Sequence, residues 1–380
     1  MNIVYLIGNG FDLGLGLKTS YRDCVEAYLQ RRKDTTDSCI KWLCKKMRDD
    51  GQETWSDAER AFGQLKFSEL LTDSDHKDKT AVSIYDRCYD DFCEFFASRI
   101  MVEEKRFVIP DNQQTSVSEM FCSRIIHLDH FMELEPRNYY SNQILSSDTI
   151  NLNFISFNYT KTLEKLIRVP VNVNDGFWHF KDKTSNKELK VKINKVCHVH
   201  GTFNEDNLVF GVDNPTQIAD LKVREHCERI GGMLKSGTSE DLGTVNRSRA
   251  MNILSTANRI VVFGLSYGET DCTWWSKLYE KLFPPNDKQL IICPYLDYPR
   301  GTPISSKMRN DLRRAAKRNV FVSVFKDESP EMITIEKARP KKIAVLSPRF
   351  LPENSEKCDF FGLTNLCRSF VLPTTGISET

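Results

Sequence analysis

Short apolar runs, each closed by glycine or a small polar residue, alternate with stretches of helical period. Residues 3–7, Ile-Val-Tyr-Leu-Ile, are the first such run. They are apolar and rich enough in β-branched and aromatic residues for a buried strand. Gly8-Asn9-Gly10-Phe11-Asp12 follow at once. Ser20 offers an N-cap with Asp23 at capping-box distance, and Tyr21, Cys24, Val25, Tyr28 and Leu29 predict a helix over residues 21–32. The helical period then persists to residue 142. It gives an amphipathic segment over 40–47, a helix opening at Trp55–Glu59 with Ser56 as cap, and a further helix over 119–134 after a loop at 110–114. A long helix over 82–101 carries Ile84, Tyr85, Cys88, Tyr89, Phe92, Cys93, Phe95 and Phe96 along one side, a stripe that reads as core.

Strands return at residues 149–157, followed by a helix from about Thr160. A lysine-rich, hairpin-like stretch over 172–195 reads as solvated. Val196-Cys-His-Val-His-Gly201 is a short strand, and residues 207–213 are another strand and turn. Residues 235–244, rich in Gly and Ser, read as a mobile loop. Residues 250–257 are helical, and 259–264 form a second clear buried strand. Strands at 289–293 and 320–325 flank a basic helix over 307–318. This order predicts an α/β fold, a doubly wound Rossmann-like parallel sheet with a large α-helical insertion after its first β-α unit. The expected division is a discontinuous α/β domain (1–24 and 146–345), a helical insertion (25–145) and a C-terminal extension (346–380).

Composition narrows the partners. The 380 residues are 40% hydrophobic and 28% charged, ordinary for a folded chain. Lys+Arg 53 against Asp+Glu 52 leaves +1, so no overall field argues for nucleic acid or an anionic membrane. None of the 12 cysteines forms a C-x-x-C pair, which argues against a zinc ribbon and for free thiols in a reducing cytoplasm. No secretory signal and no run of bilayer-spanning length is expected.

The candidate chemistry lies at four strand ends: Gly8–Asp12, Ser156-Phe157-Asn158-Tyr159, His198-Val199-His200-Gly201 and Gly264-Leu265-Ser266-Tyr267-Gly268. In a parallel sheet these ends share one edge, where ligands bind. One cleft would gather Asn9, Asp12, Asn158, His200 and Ser266. A Gly-x-Gly turn into a helix can present backbone amides to a phosphate. Here Leu13 replaces the third glycine and Asp12 adds a negative charge. A tight turn with no ligand accounts for the stretch equally well.

Leu6-Ile-Gly-Asn-Gly-Phe-Asp-Leu-Gly-Leu-Gly-Leu-Lys-Thr-Ser-Tyr21 closely resembles the opening of the AbiH phage abortive-infection proteins. Trp55…Glu59, Phe157-Asn-Tyr-Thr, His198-Val-His-Gly and Phe263-Gly-Leu-Ser-Tyr fit the rest of that family's pattern. The resemblance spans residues 2–271. The family is distantly similar to sirtuin-like (SIR2) domains, which bind NAD on a Rossmann-type sheet. That similarity implies a phosphate loop at Gly8, Asn9, Gly10 and Phe11, and a ribose-contacting asparagine at Asn158. It also implies a His-Gly motif at His200-Gly201, with His200 catalytic and Gly201 cofactor-binding, and an adenosine loop at Gly264 and Ser266. The sirtuin zinc module is missing, so deacetylation is not expected. What remains is NAD hydrolysis, with NAD as substrate and no metal.

In that reading His200, of unperturbed pKa about 6.5, takes a proton from a ribose hydroxyl or a water. Asp12 stabilises developing positive charge or orients His200. A backbone-bonded core histidine is the plainer account of His200. His198, two residues earlier, makes a His–His metal pair conceivable, without a carboxylate at useful spacing. Asp271 and Glu59 are further acidic candidates that salt bridges or caps explain as well. Expected partners are a small-molecule nucleotide and a phage-derived trigger, with a homo-oligomer compatible. A nucleotide sensor without turnover fits the same residues. So does a nucleic-acid toxin using the basic helix around 309–318, although such charge runs are usually solvated faces.

Overall fold

Strand β1 (Asn2–Ile7) occupies the middle of the sheet, and residues 3–7 are buried on both faces. Its unbroken apolar run is what a central parallel strand requires. It pairs in parallel with β2 (Thr149–Ser156) on one side and β6 (Arg259–Phe263) on the other. The remaining strands are β3 (Trp178–Lys181), β4 (Glu188–Ile193), β5 (Cys197–His198), β7 (Gln289–Cys293) and β8 (Ile343–Val345). The computed structural model describes residues 1–72, 79–182, 186–202, 209–235, 242–265, 269–271, 274, 288–293, 305, 307, 310–311, 314–316, 343–346 and 370.

The spatial order is β3-β4-β2-β1-β6-β7-β8, with β5 beside β2. Only β3–β4 is antiparallel. Setting aside β3 and the two-residue β5, the parallel strands numbered along the chain lie in the order 3-2-1-4-5-6. This is the dinucleotide-binding arrangement, whose switch point falls between β1 and β6. The fold is α/β and Rossmann-like, as the sequence predicts. β4 pairs with the first half of β2 and β5 with its last residues, so the strand pairing is handed over part-way along β2. That handover carries residues 198–200 to the carboxyl edge.

The helices are α1 (Gly10–Leu15), α2 (Tyr21–Arg31), α3 (Ser38–Asp49), α4 (Gly51–Thr54), α5 (Ala58–Gly63), α6 (Ala81–Arg106), α7 (Asp111–Ile126), α8 (Leu134–Ser146), α9 (Thr162–Leu166), α10 (Leu221–Ile230) and α11 (Leu242–Ser255). Ser20 caps α2 through the Asp23 N–H, and Thr80 and Ser83 cap α6 reciprocally. Several boundaries differ from expectation. Asp57, not Ser56, caps α5, because residues 55–57 form a 3₁₀ turn first. The expected loop at 110–114 begins α7, and the helix expected over 119–134 breaks at His127 into α7 and α8. Residues 209–213 make one isolated bridge, Val212 to Leu234, instead of a strand. The strand expected at 320–325 lies outside the described residues.

Packing cuts across the expected division of the chain. On one face of the sheet, Ile3, Tyr5 and Ile7 meet Phe121, Ile125, Tyr140 and Ile144 of α7 and α8, together with Leu346 and Phe370. On the other face, Val4, Leu6 and Val262 meet Ala250 and Leu254 of α11. The period of two along β1 separates these layers. A third core joins α2, α3, α5 and α6 to Phe210, Val223, Cys227 and Met233. So α7 and α8 belong to the sheet's own layer, while residues 210–234 complete the helical block. The hairpin expected to be solvated extends the sheet edge. It buries Leu189 and Val191 and leaves Lys190 and Lys192 outside. No helix among the described residues is long and apolar enough to cross a membrane.

Candidate functional site

The glycine turn after β1 faces the loop after β6. Gly8 N–H donates to Phe263 O (2.9 Å), Gly10 N–H to Gly264 O (2.8 Å) and Phe11 N–H to Gly8 O (2.9 Å). A Cβ on Gly10 would stand 2.6 Å from Gly264 Cα, and one on Gly8 would stand 2.6 Å from Gly264 O. Gly264 itself has φ +66. The glycines therefore let two backbones touch across the switch point. This corrects the expected phosphate loop, since the amides of Gly8, Gly10 and Phe11 are already engaged. The Asn9 side chain is engaged too: its Nδ2 donates to Thr19 O (2.9 Å) and its Oδ1 accepts from Thr19 Oγ1 (2.6 Å). Phe11 is core, edge-on to Phe121 and Phe263. Ser266 lies outside the described residues.

Asp12 is buried and accepts from the hydroxyls of Thr160 and Thr162, both at 2.6 Å. Burial pushes its pKa up to about 6, against the pull of those two hydroxyls. The expectation that Asp12 orients His200 is corrected, because Asp271 holds that place. His200 Nε2 stands 3.2 Å from Asp271 Oδ1. The imidazole lies between the rings of Phe157 (5.6 Å, 87°) and Tyr159 (5.9 Å, 39°).

Behind this pair is a buried cation. Lys235 Nζ donates to Glu59 Oε2 (2.7 Å), Asp271 Oδ1 (3.1 Å) and Thr270 O (3.2 Å). Tyr159 OH stands 3.2 Å from Glu59 Oε1 and 3.1 Å from Val209 O. Burial opposes charge on both ends of the Lys235–Asp271 pair. Lys235 and then His200 nevertheless hold the Asp271 carboxyl well below the usual range, and Asp271 and Glu59 hold Lys235 above its own.

Asn158 sits between the two residues whose rings flank His200. Its N–H donates to Ser156 Oγ (3.1 Å), and its carbonyl faces His198 Nδ1 (3.1 Å). His198 Nε2 lies 2.7 Å from Glu164 Oε1. The two histidines thus have separate partners, and no group of three metal-binding side chains occurs among the described residues. Asn158 is 5% exposed, and its Oδ1 has no hydrogen-bond partner among the described residues. An unmatched buried acceptor costs about 1–3 kcal/mol, and such a cost calls for an explanation. Gly201, with φ +73, turns the chain away after the histidine.

The family model described as bacteriophage abortive infection AbiH matches residues 4–292. The chain belongs to the AbiH family. That description places it among phage abortive-infection proteins, and the matched span contains Glu59, Asn158, His200, Lys235 and Asp271. A search of curated proteins returns no match.

In this AbiH-family chain the arrangement suits proton transfer. A histidine is oriented by an ionised carboxylate, and the neighbouring strand end carries a buried acceptor awaiting a donor. Of the strand-end residues, Asn158 and His200 follow the neighbouring strands β2 and β5, whereas Asn9, Phe11 and Asp12 serve packing and loop anchoring. Lys235 was missed because it opens a stretch that reads as a loop. Glu59 carried a signal, since it shares the apolar face of α5 with Phe62 three residues on.

Proposed function

We propose that this protein acts in abortive infection by hydrolysing the nicotinamide–ribose bond of NAD. The observation that carries the reading is the His200–Asp271 pair, with the buried, unmatched Asn158 Oδ1 following the neighbouring strand β2. Both stand at the carboxyl edge of a sheet in dinucleotide-binding order. A ribose hydroxyl is the donor that Asn158 Oδ1 lacks. Water adds to the ribose C1′ as nicotinamide leaves with the bonding pair, and the water's proton passes to His200. Asp271 steadies the imidazolium that forms, and the local carboxylates favour the oxocarbenium-like state. The pyrophosphate is not assigned to the Gly8, Gly10 and Phe11 amides, which are engaged. The distant sirtuin-like resemblance supports the same substrate class. The reading places the protein in the cytoplasm with a phage-derived trigger.

The test incubates purified protein with NAD and separates the products by liquid chromatography. The expected products are nicotinamide and ADP-ribose in equal amounts. His200→Gln is expected to slow turnover by about 10²–10⁴-fold, and Asn158→Ala to raise KM. Turnover unchanged in both variants overturns the site. A thermal shift with NAD and no product makes the chain a nucleotide sensor.

A further inference from the structure

The Glu59–Lys235–Asp271 cluster joins two cores. Glu59 comes from α5 of the helical block, and Asp271 from the turn at Glu269–Asp271 beyond β6. Lys235 follows the Val212–Leu234 bridge, and its N–H is fixed to Val212 O at 2.9 Å. Lys235 and Glu59 are 6% and 3% exposed. Buried ion pairs are poor sources of stability compared with well-packed apolar residues. A cluster of three charges touching the His200 partner therefore calls for a role beyond cohesion. We propose that Lys235 is a positioning residue: its ammonium, shared between Glu59 and Asp271, holds Asp271 against His200 Nε2 and sets the charge that His200 works against.

The charge count gives the sign. Glu59 and Asp271 contribute two negative charges and Lys235 one positive, so His200 faces a net −1. Asp213, which also bears on Lys235, is matched by Arg247 of α11 at 3.2 Å. Asp57, just before α5, adds a further negative charge in parent and variants alike, with its pKa raised by burial and then by Glu59. The Tyr159 phenol is held uncharged by burial and by Glu59. Without Lys235, His200 faces about −2, and its protonated form is favoured. Without Glu59, the opposite holds.

The test follows the His200 ring signals by NMR against pH in protein labelled at histidine. The chain has seven histidines, and the His200→Gln variant assigns the signal. Lys235→Met is expected to move the His200 midpoint up by about one pH unit, and Glu59→Gln to move it down. The charge-balanced double variant E59Q/K235M returns it close to the parent, and Lys235→Arg leaves it in place. The acid limb of kcat/KM for NAD follows the same order. That kinetic arm rests on the NAD-cleaving reading, but the titration does not. Midpoints that shift in a protein with no turnover overturn that reading and support the positioning role. A His200 midpoint that is the same in every variant, with only the melting temperature lowered, reduces Lys235 to a tether and overturns the proposal. If Lys235→Met does not fold, the comparison of Glu59→Gln with the double variant carries the same decision.

Discussion

At Asp12 a single side chain sets a pH dependence whose sign follows from its burial. Its folded value of about 6 lies above the ordinary 3.8, so the folded state holds more protons between the two. The contribution is present in full below about pH 4 and lost as pH rises through 6, by up to about 3 kcal/mol. Asp12→Asn keeps an acceptor for one threonine and removes the titration. Urea unfolding at pH 4.5 and 7 is expected to show a smaller drop in the variant than in the parent. At Lys235 the effect is one of charge pairing. Lys235→Met strands two buried carboxylates and is expected to destabilise the protein by about 3–5 kcal/mol, most of it recovered in E59Q/K235M. Guanidinium melts of both variants measure this directly.

Among the elements, the β1 and β6 turns act as one unit. Gly264→Ala combines a left-handed φ with a Cβ 2.7 Å from Gly10 Cα. The expected loss is roughly 2 kcal/mol or more. Gly14, inside α1, has nothing within 4 Å of an added Cβ. Gly14→Ala is therefore expected to be neutral or stabilising by up to about 1 kcal/mol. Chemical denaturation of both separates close approach from conformational entropy. The same turns show why a motif read locally can mislead. Gly8-Asn9-Gly10 fits an amide cradle in sequence, but whether its N–H groups face a ligand or a neighbouring carbonyl depends on β6, some 250 residues away.

Across the whole molecule, Phe210 ties residues 209–235 to the helical block through the rings of Tyr21, Phe62, Tyr89, Phe92 and Phe96, at 5.5–6.3 Å. Phe210→Ala is expected to cost about 3–5 kcal/mol. Amide exchange is expected to rise first in α5, α6 and residues 209–235, while β1, β2 and β6 stay protected. Uniform loss of protection would show one cooperative unit instead. Because Lys235 rides on this segment, the packing of the helical block bears on the charge beside His200.

The sequence by itself determined strands β1, β2, β5, β6 and β7, the α/β class and the strand-end positions of Asn158 and His200. These follow from local properties: apolar runs, β-branching and turn residues act within a few positions of one another. Only the tertiary structure decided which polar side chains meet. Asp12 and Asp271 are both acids near strand ends, yet one is bound by Thr160 and Thr162 and the other faces His200. Lys235 carried no local mark of burial, because its partners arrive from α5 and from the turn after β6. Hydrogen-bond and ion-pair partners are properties of the packed sheet and helices, and no window of neighbouring residues contains them.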